Sequence, residues 1–427
     1  MQSPNHSTIT KSPDHSITNL QRFSSISPSR AAFVFIFITV LLDMLALGII
    51  VPVLPGLVVF FRGGDTASAA AIYGVFASVW AAMQFIFSPI LGSLSDRFGR
   101  RKVILLSNVG LGLDYLLMAV APTLGWLFVG RVASGITSSS FPTAIAYVAD
   151  VTPPAERAAK FGLLGAAFGA GFIVGPTVGG LLSTYSLRAP FWGAAILSLA
   201  NAAYGYYILP ESLPEHQRSP FHWRRATPIG SLQMLRARPL LFALASASFV
   251  SMLAHDSLPT TAVLYAKYRY LWDERALGLV LGVVGVAALI VQAGLVGRLV
   301  AWLGERKALA VGFLSGAVGM AIYGFAPTGA WFMLGVPGTA LYGLANPALQ
   351  SLMTREVGPS EQGQLQGANG SMNGIANMTA PILFTQVFAL AIGRFEHLHL
   401  PGAPFLLAAL FLIAAAIVGW RATSRQS

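Results

Sequence analysis

Apolar stretches of about twenty residues alternate with short polar turns along nearly the whole chain. About twenty apolar residues in a helix cross the hydrocarbon core of a bilayer. Hydropathy and the Gly/Pro breakers predict twelve spans, near 31–60, 69–91, 103–121, 125–149, 158–184, 190–209, 239–266, 276–302, 307–326, 330–354, 362–391 and 401–421. The runs are continuous and do not alternate with period two, which excludes a transmembrane barrel. The hydrophilic stretch Glu211 to Arg238 is the longest interior loop and divides the spans into two sets of six. The predicted organisation is a disordered N-tail (1–29), a six-helix half (30–209), a central loop (210–238), a second six-helix half (239–422) and a short C-tail (423–427). The tail 1–29 is rich in Ser, Thr, Pro and Asn, a composition that cannot build a core. No small-residue cleavage site follows the first apolar run, so that run reads as a retained helix.

Charge orients the spans. Five charges, Asp96, Arg97, Arg100, Arg101 and Lys102, crowd the turn between the second and third spans, with Gly92 and Gly99 freeing the backbone. Short loops rich in Lys and Arg stay cytoplasmic. With both termini cytoplasmic, twenty of the 27 Lys and Arg fall inside and six outside; Arg131 lies within a span. A soluble domain carries about a quarter charged residues; this chain carries 10%, with 55% hydrophobic. The net charge of +11 is spread over short loops, which is a topology signal and not a nucleic-acid patch. Cysteine is absent, so disulfides, thiolate metal sites and Cys nucleophiles are excluded.

The charged turn recurs. A shift of 205 residues lays Gly92, Gly99, Arg100, Arg101 and Lys102 over Gly297, Gly304, Glu305, Arg306 and Lys307, with Asp96 and Arg97 replaced by Ala301 and Trp302. The repeat predicts two six-helix halves of like topology, related as parallel repeats.

Two carboxylates lie inside spans. Asp43 sits mid-way along the first and Asp114 in the third. An ionised carboxylate there costs roughly 2.5–3.5 kcal/mol on insertion scales, so each faces a cavity, meets a cation, holds a proton or bonds a neighbouring helix. Arg131 is a partner for one of them or snorkels to a helix end. Asp150 closes the fourth span, either as half of an inner gate with the basic loop or as a solvated helix end. Gly171, Gly175 and Gly179 recur every fourth residue on one face of the fifth span beside Pro176, a pattern for close helix packing with a kink and not for binding.

The second half is poorer in charge. His255 and Asp256 are adjacent in the seventh span and point about 100° apart, so at most one of them faces a cavity. Gln366, Asn369, Asn373 and Asn377 share one face of the eleventh span, and Gln84, Gln292, Asn346 and Gln350 add amides on other spans. Such amides either line a cavity for a polar, multi-ringed substrate or join helices. The His residues are scattered, and the sequence offers no metal cluster, Ser–His pair or phosphate-binding loop, so no catalytic residue or metal ligand is expected.

The pattern G-x-L-x-D-R-x-G-R-R-K from Gly92 to Lys102 resembles the loop after the second helix of major facilitator transporters. Within them the chain most resembles the tetracycline/proton antiporters. The match runs through Leu42-Asp43, Gly48 to Gly56, Met83-Gln84, Ser95 to Arg101, Leu113-Asp114-Tyr115, Gly130-Arg131, Ser134 to Thr137, Ala149-Asp150 and Gly175 to Gly180. It continues through Gly363 to Gly367 and Pro381 to Thr385. The resemblance implies the twelve-helix major facilitator fold in two pseudo-symmetric halves, and multidrug or tetracycline efflux that confers antibiotic resistance. It implies coupling roles for Asp43 and Asp114 with Arg131 as partner, gating roles for Asp96 with Arg97, Arg100 and Arg101 and for Asp150, and a drug-lining role for Gln84.

The chain departs from that family in its second half. Ala288 stands where the family carries a His four residues before the glutamine matching Gln292, and Gly316 stands where it carries an intramembrane Asp. His255 or Asp256 substitutes for these, or Asp43 and Asp114 carry coupling alone. The expected protein is a monomeric bacterial inner-membrane antiporter, not an enzyme. It has no cofactor, takes protons as coupling ion, and has as substrate an amphiphilic drug, as a cation or divalent-metal chelate. The alternative is a transporter of a small metabolite.

Overall fold

A computed structural model describes residues 28–138, 140–218, 235, 238–358 and 361–424. The N-tail up to residue 27, most of the central loop with Arg224, Arg225 and Arg236, and the last three residues lie outside the described residues.

Among the described residues, twelve helical rods follow one another. They are α1 (Pro28–Ile50, continued as Leu54–Phe61), α2 (Thr66–Phe98), α3 (Arg100–Val120), α4 (Leu124–Thr137, continued as Ser140–Val151), α5 (Pro154–Leu182) and α6 (Ala189–Ile208). The second set is α7 (Pro239–Tyr270), α8 (Glu274–Ile290, a π-turn at Val291–Leu295, then Val296–Leu303), α9 (Glu305–Phe325), α10 (Gly329–Met333, Val336–Leu341, a 3-10 turn at Tyr342–Leu344, then Ala345–Arg355), α11 (Gln362–Ile392) and α12 (Ala403–Ser424). Among the described residues, eight helices pass as membrane spans on length and apolarity alone. The other four are α6, diluted by Asn201 and its tyrosines, and the interrupted α4, α8 and α10.

The first, fourth, eighth and tenth of the predicted spans each carry an interruption. Pro52 and Pro55 withhold backbone donors at the break in α1, and Gly335, Pro337, Gly338 and Gly343 weaken α10. The first helix begins at Pro28, three residues before the predicted span, because proline suits a first helical turn. Asp65 and Asp273 cap α2 and α8 by accepting from the Ser68 and Ala276 N–H groups at 3.0 and 2.8 Å.

Each set of six has its own apolar core. Tyr115, Phe76, Leu57 and Phe191 are buried in the first, and Tyr265, Phe313, Phe384 and Phe405 in the second. Within the first set α1 lies against α5 at backbone contact. A Cβ on Gly175 would stand 2.6 Å from the Gly48 Cα and 2.8 Å from its carbonyl carbon, and one on Gly171 would stand 2.7 Å from the Met44 Cβ. Backbone cannot swing aside as a side chain can. Gly175→Ala should therefore lower the melting temperature of the detergent-purified protein by several degrees, from overpacking worth about 1–3 kcal/mol. An unchanged melting curve would show that α1 and α5 have room to spare.

The two sets meet along α2 with α11 and α5 with α8. A Cβ on Gly74 would collide with Thr385 and lie 3.0 Å from the Pro381 carbonyl oxygen, and one on Gly180 would lie 3.1 Å from the Gly278 Cα. Thr177 donates to the Gly278 carbonyl at 3.2 Å. Shifting Gly180 by 205 gives Thr385, and shifting Gly74 gives a neighbour of Gly278, so the two contacts are images under the repeat. Both lie toward the end that carries the α1–α2 and α7–α8 turns. Toward the other end, a Cβ on Gly162, Gly165 or Gly169 of α5, or on Gly294 or Gly297 of α8, would touch nothing within 4 Å. The cleft is closed at one end and open at the end of the Gly99 and Gly304 turns.

Candidate functional site

Asp43 is buried among neutral groups. Asn201 of α6 donates to its Oδ1 at 2.7 Å. Asn108 of α3, with its amide nitrogen turned to the carboxylate, donates to both oxygens at 3.1 and 3.0 Å and accepts from Asn201 at 3.1 Å. The Ser140 hydroxyl, at the start of the second segment of α4, completes the set. Among the described residues, three other helices thus converge on this carboxylate and supply dipoles, not a counter-charge.

Asp114, also buried, has the opposite environment. The Arg131 Nη2 stands 3.5 Å from its Oδ2, an ion pair longer than a hydrogen bond, and the Ser134 hydroxyl also faces this carboxylate. Arg131 is held in turn by the Ser134 hydroxyl at 2.7 Å and by the face of Trp80, 5.7 Å from the guanidinium carbon. Any side chain on Gly130 would collide with Asp114 Oδ1, so this glycine is what lets α3 and α4 bring the charges together.

The charged turn sits at the open end. Arg100 joins Asp96 at 2.5 Å, Asp150 at 3.2 Å and the Ser95 hydroxyl at 2.6 Å, while Ser212 donates to Asp150 at 2.9 Å. Gly99 has a φ of 102°, and a Cβ there would collide with Glu211. Glu211 accepts the first free N–H of α3, that of Arg100, at 2.8 Å, where a helix favours an anion. Arg101 donates to the Tyr206 carbonyl and Arg97 lies over Phe98; Gly92 has open space around it. In the second half Glu305 accepts from Arg355 and Ser351, both at 2.6 Å. Arg238 grips Glu361 at 2.9 and 3.1 Å and donates to the Glu356 carbonyl. The Gly358 N–H, followed by Arg238, holds the Glu361 carboxyl below its usual range.

The amides divide. Gln84 donates to the Ser138 hydroxyl at 3.2 Å, where α4 breaks. Gln292 lies in the π-turn of α8, and a Cβ on Gly343, in the 3-10 turn of α10, would stand 2.8 Å from its Oε1. Gln350 donates to Gln366 at 3.0 Å and accepts from Asn369 at 2.9 Å, which joins α10 to α11. Asn346, Asn373 and Asn377 are exposed. The stripe is therefore half interhelical bonding and half open amide.

His255 is exposed and stacks on Tyr342, with ring centroids 5.1 Å apart and planes 13° apart. The two rings line a small cavity with Gly316, Met320, Thr339 and Leu412. A Cβ on Gly316 would touch Tyr342 and Leu412 at 3.1 Å. Asp256 has one buried carboxylate oxygen without a hydrogen-bond partner. Ala288 is exposed.

Sequence reasoning missed Asn108, Asn201, Ser140 and Glu211. An Asn inside an apolar span is the same signal that singled out the eleventh-span amides, and it was there to be read at 108 and 201. Nothing in the spacing ties Glu211 to a turn 111 residues earlier.

Residues 36–381 match the model of the Major Facilitator Superfamily. The tetracycline resistance protein, class C, of Escherichia coli is 36% identical over 93% of this chain and 99% of its own length. The class G protein of Vibrio anguillarum is 34% identical over 86% of this chain and 93% of its own. Among solved structures, a nucleoside transporter, NupG, superposes with a TM-score of 0.75 at 14% identity over 92% of this chain and 99% of that one, a likeness of fold alone. Twelve helices in two repeated halves, a cleft between them and relatives aligned from end to end agree, and the chain belongs to the Major Facilitator Superfamily and, within it, to the tetracycline resistance proteins.

Proposed function

We propose that this chain exports an amphiphilic drug of the tetracycline type in exchange for protons, with Asp43 as the coupling carboxylate. It is a transporter and not an enzyme, and a multi-pass inner-membrane protein. The carrying observation is the contrast between the two buried carboxylates. Asp114 has a cation at 3.5 Å, whereas Asp43 has only amides and a hydroxyl. A carboxylate among neutral dipoles in a low-dielectric interior changes its interactions most when it gains or loses a proton.

In this reading both termini are cytoplasmic, so the open end faces the cytoplasm and the closed seam faces outward. Asp43 protonated from outside becomes neutral and allows the outer end to close. Proton release inside restores the anion, which favours a drug carried as a cation or divalent-metal chelate. A proton that enters as a drug cation leaves moves no net charge, so the proton concentration gradient drives the exchange, about 1.4 kcal/mol for each tenfold difference. Asp114 with Arg131 supports the coupling from the adjoining helices. Gln84, Gln292 and the open amides Asn346, Asn373 and Asn377 offer neutral donors and acceptors to the drug. His255 against Tyr342, with Asp256 beside it in sequence, supplies the second-half polar group, since it shares a cavity with Gly316. One chain supplies both walls of the cleft, so a single copy is the transport unit.

Interior pH in acid-loaded inverted vesicles tests this. Tetracycline with Mg²⁺ should alkalinise the lumen as protons leave in exchange. A response only to another drug would keep antiport and change the substrate. Silence to a full panel, with protein verified in the membrane, would favour the metabolite reading.

A further inference from the structure

We propose that Asp150 and Arg355, at the tips of α4 and α10, meet as an ion pair across the cleft when its open end closes. The repeat carries the argument. Arg100 bonds Asp150 in the first half and Glu305 bonds Arg355 in the second, at 3.2 and 2.6 Å. A shift of 205 takes Arg100 to Glu305 and Asp150 to Arg355, so both bridges occupy equivalent places with every sign reversed.

Around a two-fold axis a residue near the axis approaches its own counterpart. Like charges would then repel, and reversed signs make the tips complementary. The seam at the closed end already obeys this symmetry, through Gly180 on Gly278 and Gly74 on Thr385.

The two tips are also built to move alike. Helix α4 is interrupted after Thr137, and α10 turns 3-10 at Tyr342–Leu344. Ser138 and Gly343 are again 205 apart. Each break is approached by a glutamine of the neighbouring rod, Gln84 on Ser138 and Gln292 beside Gly343. Beyond the breaks the counterparts Pro142 and Pro347 are both exposed. Arg355 is not used up by its bridge, since its side chain is 69% exposed against 12% for Arg100.

The inference rests on the antiport reading only in needing two states of the cleft, and its test uses no substrate. The chain has no cysteine, so introduced thiols stand alone. The pair Ala67→Cys/Gly393→Cys reports the seam at the closed end, because its Cβ positions are 3.7 Å apart, within disulfide range. The pair Asp150→Cys/Arg355→Cys reports the proposed contact. Copper-phenanthroline oxidation in membranes, followed by a maleimide-polyethylene-glycol gel shift, reads both. The 150/355 pair should cross-link in the full chain, and yield should fall at least about tenfold once the 67/393 bridge has formed. A 150/355 pair that stays reduced while 67/393 forms, or that forms equally with the seam locked, would overturn the proposal.

Charge gives a second reading that needs no disulfide at the tips. Asp150→Arg should speed 67/393 cross-linking, because two cations at the tips hold the open end apart. Adding Arg355→Asp should return the rate to within about twofold of the parent, as opposite-charge juxtaposition is restored. If the double variant departs further than either single one, the two residues act only inside their own halves and the proposal fails.

Discussion

Asp43→Asn abolishes drug-dependent proton movement in inverted vesicles while leaving the protein folded. The change replaces a carboxylate by an amide of nearly the same shape, so Asn201 and Asn108 keep a hydrogen-bonding partner and no cavity opens. What disappears is the only state in which this cage holds a charge. Melting temperature in detergent should therefore stay within a few degrees of the parent or rise, since an uncompensated charge in a low-dielectric site is a burden on the fold. Transport should fall to background, and downhill exchange of drug for drug should survive better than proton-driven accumulation. A variant that still acidifies or alkalinises the lumen in step with drug would move the coupling proton elsewhere, with Asp114 and Asp256 next to be replaced.

Arg131→Gln should have the largest effect on stability. It leaves Asp114 buried with no cation near it among the described residues. Removing one partner of a buried pair costs about 3–5 kcal/mol, because the other charge is left uncompensated. Low yield from membranes and a melting temperature depressed by many degrees are expected. The double variant Arg131→Gln/Asp114→Asn should recover most of that stability, since both charges leave together, yet it should not recover transport. Recovery of neither would mean that Arg131 is held chiefly for Ser134 and Trp80. Recovery of both would remove the pair from the coupling machinery.

The chain announces its fold because membrane solvent makes the signal strong. An unsatisfied backbone group in hydrocarbon is so costly that a run of twenty apolar residues has few options besides a helix. The 205-residue repeat then relates one half to the other. What stayed hidden were the interruptions. The π-turn at Val291–Leu295 contains Gly294, yet α9 and α11 carry several glycines and stay regular, and the gap in α4 falls in a Ser-rich stretch that a helix would tolerate. Buried carboxylates stood out against apolar neighbours, so Asp43 and Asp114 were legible as residues. Their different surroundings were not, because Asn108, Asn201 and Arg131 reach them from other helices. Which carboxylate has a counter-charge is a fact about helix rotation and register, and periodicity alone does not resolve it between four packed rods.

The anchoring of the central segment sets how the halves are tethered. Glu211 fixes its beginning to the α3 turn through the N–H groups of Arg100, Ser212 and Leu213, and Arg238 fixes its end to Glu361 and the Glu356 carbonyl. Between Leu213 and Arg238 the polypeptide can extend to roughly 80–90 Å at 3.3–3.6 Å per residue. Chain length by itself therefore does not limit how far apart these two anchors can stand. Among the described residues, the halves bear on each other where α2 meets α11 and α5 meets α8. The covalent link serves mainly to keep both bodies in the same molecule at high effective concentration.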